Sequence, residues 1–289
     1  MTTSDGPGRS GTASVASMRR FPSRVGTPVP GRGSAEQREP PAAGAARGDG
    51  RARAAVAVLL TLGALAYTTW TLEAFLPTGL SPLRTYVSEL AAEDQPYGTF
   101  FRTLDLAAGI LVCAGAVVGL GWLRPRAAAR GRALLAVGGW VAVAVFGAAT
   151  AADSRLPLSC APTADAACAA RERAGAVPFA HAAHAVSSSV AVAGALVGMV
   201  LLTVVVHRSG ARGGGPAGAR FRGLLLTLVG VELIATVWTL AAVAAFDSGH
   251  GTSGHGTWGL GVAQRMQLLT IAVWLVVMAW LVWAGRRRT

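Results

Sequence analysis

The chain has 289 residues, of which 52% are hydrophobic and 14% are charged, and it carries a formal net charge of +12. Between residues 54 and 286, several stretches of roughly 20 residues contain almost no charge, which excludes a disordered chain and a conventional soluble enzyme. The arginines lie in a tail and between the apolar stretches and form no folded basic face, so nucleic acid is not an expected partner.

The N-terminal segment, residues 1–50, is predicted to be a disordered cytoplasmic tail. It is rich in Gly, Pro, Ala, Ser and Arg and has no apolar periodicity, so it cannot bury enough surface to offset the entropy of ordering. Arg19 and Arg20 resemble a twin-arginine export signal, but no apolar run follows before residue 54. A signal peptide is therefore not predicted, and a start at Met18 would shorten the tail.

Residues 51–289 are predicted to form one all-α transmembrane domain, a polytopic helical bundle. Each apolar run is near the ~20 residues that a helix needs to cross ~30 Å of hydrocarbon, and none alternates like a barrel strand. Six spans are predicted, at about 54–76, 104–123, 133–152, 181–206, 223–246 and 265–284.

The arginines in the links between spans predict the orientation. Residues 124–132 and 207–222 carry four arginines each and no acidic residue, and Arg286, Arg287 and Arg288 follow the last span. The alternate links, 77–103 and 247–264, are close to neutral. We expect a cell-membrane protein with both termini in the cytoplasm and with its longer, more polar links outside.

Two cysteines, Cys160 and Cys168, flank a short segment of the second outer link. An outer location is oxidising, so a disulfide is predicted. Paired metal-binding thiols are the alternative, but the seven-residue gap and the lack of a nearby histidine in the link make a poor metal site. Cys113 lies within the second span and is expected to pack as a small hydrophobe.

The first outer link contains a predicted short amphipathic helix. Ser81 suits its N-cap and Pro82 its first turn. Apolar side chains recur at helical spacing, at Leu83, Val87 and Leu90, and Arg84 and Glu89 lie off that stripe. Such a helix would lie on the membrane surface or over the bundle, either as a structural lid or as a lid that contacts a substrate.

Ionisable residues recur near the outer ends of all six spans. A charge in hydrocarbon costs ~2.5–3.5 kcal/mol, so these groups require partners or a function. They are Glu73, Arg102, Asp105, Asp153, His181, His184, Asp247 and Arg265. Arg102 and Asp105 are three residues apart, which favours an internal ion pair. The same spacing places His181 and His184 on one helix face.

Glu232 differs from this outer group because it lies about ten residues into the fifth span, near the middle of the bilayer. Thr236 and Thr239 follow one and two turns later on roughly the same side. Two interpretations remain open: a protonated acid hydrogen-bonded to a neighbouring helix, or a carboxylate that couples protons or ions.

Several histidines and aspartates could also form a zinc site. The candidate ligands are His181, His184 and Asp153, with Asp105 and with His250 or His255 from the last outer link. The alternative is that His181 and His184 are a hydrogen-bonded pair at the interface and that the other two histidines are solvated. No cofactor is the leading expectation, with zinc as the alternative.

Small residues are frequent in the spans, as in Gly115-x-x-x-Gly119 and Gly194-x-x-x-Gly198. Such pairs allow close approach of helix backbones where no hydrophobic effect drives helices together. We expect them to support packing within the chain rather than dimerisation, and the sequence leaves the oligomeric state open.

Short motifs along the chain resemble one family of bacterial and archaeal membrane proteins. They are Tyr86-Val-Ser-Glu89-Leu-Ala-Ala, Gln95-Pro96-Tyr-Gly, Phe101-Arg102-Thr-Leu-Asp105-Leu-Ala-Ala-Gly109, Ala152-Asp153, Cys160-Ala-Pro-x-x-Asp165-x-x-Cys168, His181-x-x-His184 and Gln264-Arg265. Together they resemble the family catalogued as "domain of unknown function 998" over roughly residues 54–284. The resemblance implies a polytopic membrane protein with outward-facing polar motifs and no established activity.

The leading functional hypothesis is a non-enzymatic membrane protein that binds or moves a lipid or small solute through an outward-facing polar cavity. The residues expected around that cavity are Glu89, Asp105, Asp153, His181, His184 and Arg265, with Glu232 deeper. One alternative is a metal-dependent hydrolase of membrane lipids, in which the two histidines and an aspartate hold zinc. Another is a structural or assembly subunit that docks a partner through its outer loops.

Overall fold

A computed structural model describes residues 43–123, 130–210, 216–248 and 259–285. Within these ranges there are seven α-helices and no strand: α1 (Ala43–Tyr67), α2 (Gly98–Trp122), α3 (Arg130–Asp153), α4 (Ala166–Arg173), α5 (Phe179–Gly210), α6 (Pro216–Asp247) and α7 (Leu260–Gly285). Two 3-10 helices, Thr69–Ala74 and Val87–Ala91, lie between α1 and α2.

Six of these helices are long and apolar enough to cross a membrane, as the sequence predicts. They correspond to the six predicted spans in order. The bounds of α2, α3, α5, α6 and α7 lie within about seven residues of the predicted ones, whereas α1 begins at Ala43 and ends at Tyr67, before the predicted end near residue 76. Residues 43–50, which the sequence analysis assigned to the tail, are therefore helical. The rest of the tail, including Met18, lies outside the described residues.

The six long helices form a closed ring in which each packs mainly against two neighbours, and α5 and α7 also touch each other. The order around the ring is α1, α2, α3, α5, α6, α7 and back to α1. The buried core between them includes Val56, Val112, Phe146, Met199 and Trp274. The opposite helix faces carry exposed apolar side chains, which suits contact with lipid tails.

Glycines set the closest approaches between neighbouring helices. A Cβ atom added to Gly109 of α2 would lie 2.4 Å from the backbone nitrogen of Ala151 in α3, and one on Gly147 of α3 would lie 2.5 Å from the nitrogen of Cys113. Gly194 of α5 meets the backbone of Phe146 in the same way, at 2.8 Å. These distances leave no room for a side chain, so α3 packs backbone against backbone with both neighbours.

The predicted amphipathic helix of the first link is wrong in extent and in orientation. Only one short 3-10 helix, Val87–Ala91, follows a turn at residues 82–84. Glu89, predicted to lie off the apolar stripe, is fully buried with Leu90 and Ala91. Helical spacing in the sequence could not predict the burial of Glu89, because a second loop, distant in sequence, covers that side chain. We call residues 85–92 the lid.

That second loop runs from Cys160 to Cys168, which the structure brings together with their Cα atoms 6.0 Å apart. It leads into α4, a helix that the sequence analysis did not predict. Asp165 caps α4, because its side chain accepts a hydrogen bond of 2.9 Å from the backbone nitrogen of Ala167. We call residues 160–168 the cysteine loop, and the end of the bundle that carries it the loop end.

The predicted disulfide can be checked by counting thiols. In denatured protein kept free of reductant, we expect maleimide to label only Cys113, whereas reduction should expose all three cysteines. Mass spectrometry of the intact chain distinguishes these results. Three labels before reduction would contradict the disulfide and the oxidising location on which it was predicted.

Candidate functional site

A cavity of about 90 Å³ lies at the loop end of the bundle, between α1, α2, α3, α5 and α7. The lid forms part of its wall through Val87, Ser88 and Leu90. Its other polar or aromatic lining residues are Tyr67, Trp70, Phe101, Asp105, Thr150, Asp153, Ser188 and Gln264. The cavity therefore combines two carboxyl groups with hydroxyl groups, an amide and aromatic rings, and none of these lining residues is basic.

Asp153, at the end of α3, is held by three side chains of α5. Ser187 donates a short hydrogen bond to its Oδ1 atom, and the hydroxyl of Ser188 lies 3.0 Å from its Oδ2 atom. His184 places Nδ1 3.2 Å from the carboxylate and 3.0 Å from the carbonyl oxygen of Leu156. These three residues share one helix face because they are three and four positions apart.

Asp105, on α2, has no hydrogen bond or ion pair within the described part of the chain. The predicted ion pair with Arg102 is wrong. Arg102 instead donates to the carbonyl oxygen of Ala91 in the lid, at 2.6 Å, and to the hydroxyl of Thr99, at 3.0 Å. The guanidinium group of Arg102 therefore binds the carbonyl oxygen of Ala91 and not the carboxyl group of Asp105. Asp105 lines the cavity.

Arg265 of α7 and Glu73, in the 3-10 helix after α1, form a buried bidentate ion pair. Nε and Nη2 of Arg265 each lie 2.6 Å from a different carboxylate oxygen. Nη1 donates to the carbonyl oxygens of Thr85 and Gly261, at 3.0 and 3.1 Å. The guanidinium carbon lies 6.0 Å from the centre of the Trp70 ring. This pair joins the first and last helices of the ring and fixes the start of the lid.

Three elements hold the lid over the cavity. The amide of Gln264 on α7 accepts a 2.5 Å hydrogen bond from the backbone nitrogen of Val87. Arg102 of α2 holds Ala91, and the cysteine loop holds Glu89. The lid is therefore tied to α7, α2 and the cysteine loop at once.

One family of known sequences matches the part of the chain that forms the helical bundle and the cavity. The model of the family described as "Protein of unknown function (DUF998)" matches residues 60–281, a range that contains every residue of the cavity wall. The chain belongs to this family. No curated protein and no solved structure matches it. The DUF998 description names no activity.

Glu89 ties the lid to the cysteine loop. Its two carboxylate oxygens accept hydrogen bonds from the backbone nitrogen and the hydroxyl of Thr163, at 2.7 and 2.6 Å. The side chain is fully buried, and burial raises the pKa of its carboxyl group to about 7, although the hydrogen bonds from Thr163 act in the opposite direction. Although Glu89 belongs to the lid, it is not part of the cavity wall.

This raised pKa predicts how stability depends on pH. Between an unfolded value of 4.5 and a folded value of about 7, the folded protein binds a proton that the unfolded chain releases. The contribution of Glu89 therefore favours folding below that window and is lost as the pH rises through it. We expect Glu89→Gln, which imitates the neutral acid, to reduce the fall in unfolding free energy between about pH 5 and about pH 8 by roughly 2–3 kcal/mol.

The matched control is Glu93→Gln, which removes an exposed carboxyl group from the same link. Because it leaves the buried carboxyl group of Glu89 in place, this variant should keep the pH profile of the parent protein. Profiles come from chemical unfolding in mixed micelles at each pH. Identical profiles for the parent and Glu89→Gln would show that Glu89 stays ionised in the folded protein.

The two candidate zinc histidines have different surroundings. His181 is buried, and its Nδ1 atom lies 3.0 Å from the backbone nitrogen and 2.9 Å from the hydroxyl of Ser159, with Nε2 3.4 Å from Glu172. His184 contacts Asp153 instead. Among the described residues, no group of three or more His, Cys, Asp or Glu is placed to hold a metal ion. His250 and His255 lie outside those residues.

Glu232 lies apart from the cavity, where α6 packs against α7. It is fully buried, and neither carboxyl oxygen has a hydrogen-bond partner among the residues described. Gln267 lies beside it but donates its amide hydrogen to Thr236, at 2.9 Å. The hydrogen bond to a neighbouring helix that one of the two interpretations of Glu232 requires is not formed among the described residues. Asp247 ends α6, and its side chain lies outside the description.

The sequence analysis missed several residues that build this end of the protein. Thr163, Trp70 and the pair Ser187 and Ser188 were not singled out. The run of serines at positions 187–189 interrupts an Ala- and Val-rich helix and was a usable signal, because hydroxyl groups in a span need partners. Thr163 gave no such signal, since its partner Glu89 is 74 residues away.

Proposed function

We propose that this DUF998 protein binds a small polar solute in the cavity at the loop end, and that this end faces the outside of the cell membrane. The observation that carries the proposal is the set of converging polar groups from four helices, of which Asp105 has no partner within the described chain. A carboxyl group buried in a membrane protein without a partner destabilises the fold, and a bound species that interacts with it would offset that cost.

The size of the cavity favours a small solute over a lipid. Pockets that enclose drug-sized ligands measure roughly 300–1,000 Å³, whereas this cavity measures about 90 Å³. That volume accommodates a solute of a few non-hydrogen atoms or several waters. A lipid would have to remain outside it, along the exposed apolar faces of the helices.

The distribution of arginine supports the proposed orientation, since the described arginines of the two arginine-rich links lie at the opposite end of the bundle from the cysteine loop. They are Arg130, Arg132, Arg208, Arg220 and Arg222. Single cysteines in a Cys113→Ala background test it. We expect a membrane-impermeant maleimide to label Asp94→Cys in intact cells, and Ser209→Cys only after permeabilisation, because these two exposed positions lie at opposite ends of the bundle. The reverse pattern would place the cavity on the cytoplasmic side.

Solute access can be measured with a cysteine in the cavity wall. Val192 lines the cavity and takes no part in its hydrogen bonds, so Val192→Cys perturbs the polar groups little. The neutral reagent 2-hydroxyethyl methanethiosulfonate should label it in lipid nanodiscs at least roughly ten times faster than Ala195→Cys, a buried core position one turn further along α5. Equal, slow labelling at both positions would contradict a solute-binding cavity.

A further inference from the structure

We propose that the solute is a compact monovalent cation of the ammonium type, held by Asp105 and surrounded by the aromatic rings of the cavity. This inference rests on the proposed function and specifies its ligand. It rests on the charged side chains around the cavity, most of which have partners within the protein.

The charge around the cavity is unbalanced. The guanidinium carbon of Arg265 lies 6.0 Å from the ring of the wall residue Trp70, but its Nε and Nη2 atoms are paired with Glu73 and its Nη1 atom donates to backbone carbonyl oxygens. Arg102 is directed at a lid carbonyl. Asp153 has His184 and two serine hydroxyls, but Asp105 has no partner in the described ranges. A positively charged ligand would supply the missing countercharge, and an anion would be repelled by the Asp105 carboxylate.

The uncharged wall residues favour an ammonium group over a bare metal ion. Tyr67, Trp70 and Phe101 all line the cavity, and aromatic faces attract ammonium groups. No group of three or more His, Cys, Asp or Glu side chains in the described chain is placed to hold a metal ion.

Charged thiol reagents of equal length test the sign of the ligand. At Val192→Cys in nanodiscs, we expect the 2-aminoethyl methanethiosulfonate to react roughly ten times faster than the 2-sulfonatoethyl reagent, after each rate is divided by that with a free thiol in solution. Asp105→Asn should bring the ratio close to one, and Asp105→Glu should keep it. Equal rates for the two reagents, or a preference unchanged by Asp105→Asn, would overturn the inference.

Protection measurements identify the ligand class. Ethanolamine and methylammonium should slow labelling of Val192→Cys by the neutral reagent, whereas ethylene glycol and sodium chloride at equal concentration should not. Protection by ethylene glycol alone would mean that a neutral solute binds. Protection by sodium equal to that by ethanolamine would mean an alkali-ion site.

These outcomes separate the inference from the proposed function on which it rests. If the neutral reagent fails to reach Val192→Cys, the cavity does not admit solutes and both proposals fail. If the neutral reagent reacts quickly and the charged reagents show no preference, the cavity admits solutes but does not select a cation.

Discussion

Replacing Glu73 with glutamine should cost about 3–5 kcal/mol in the free energy of unfolding, the range typical of breaking a buried ion pair from one side. The carboxylate accepts two hydrogen bonds from Arg265, and both side chains are nearly inaccessible. Glutamine would leave the guanidinium group buried without a countercharge. Unfolding by SDS titration in mixed micelles measures the loss.

The double variant Glu73→Gln/Arg265→Gln separates the ion pair from the packing of the two side chains. Because it removes both charges, it should be less destabilised than the sum of the two single variants, with an interaction energy of about 1–3 kcal/mol. Additive losses would show that the two charges contribute nothing jointly. The ion pair also closes the helix ring, so its loss should loosen the contact between α1 and α7.

Gly109→Ala is expected to destabilise the protein by at least about 1–3 kcal/mol, the usual range for overpacking. The added methyl group would lie 2.4 Å from the nitrogen of Ala151 and 2.6 Å from the oxygen of Gly147, both in the backbone of α3. Backbone atoms cannot rotate away as a side chain can, so α2 and α3 would have to separate. The free energy of unfolding measures the effect.

Gly121→Ala is the matched control because it lies on the same helix and a Cβ atom there meets nothing within 4 Å. It should be neutral or should stabilise the protein by up to about 1 kcal/mol, since alanine favours the helix over glycine. An equal loss for both variants would show that helix propensity or expression, rather than contact with α3, is responsible.

The glycine contact also positions the cavity. Asp105 lies one turn before Gly109 on α2, and Asp153 lies two residues after Ala151 on α3. The close approach of the two backbones therefore holds these carboxyl groups on facing helices. Gly109→Ala should weaken the reagent preference at Val192→Cys in any fraction that remains folded.

Some residue-level predictions were confirmed and others failed for identifiable reasons. Gly194 was expected at a close helix contact and lies at one, but the tighter pair, Gly109 and Gly147, belongs to no four-residue repeat and was missed. The prediction of an ion pair between Arg102 and Asp105 was wrong. Helical spacing shows which side chains are neighbours on one helix, but it does not show that the carbonyl oxygen of Ala91 binds Arg102 instead. Glu89 was assigned to a polar face and lies buried under the cysteine loop.

The sequence alone determined the number of membrane-capable helices and their approximate positions, because a long apolar run is a local property. It also determined which polar groups lie near helix ends, since depth follows from position in a span. Only the tertiary structure decided that Asp105 and Asp153 share a cavity while Glu232 lies apart between α6 and α7. Helix rotation and neighbour order depend on contacts between distant segments, so hydropathy along one chain does not encode which polar groups meet.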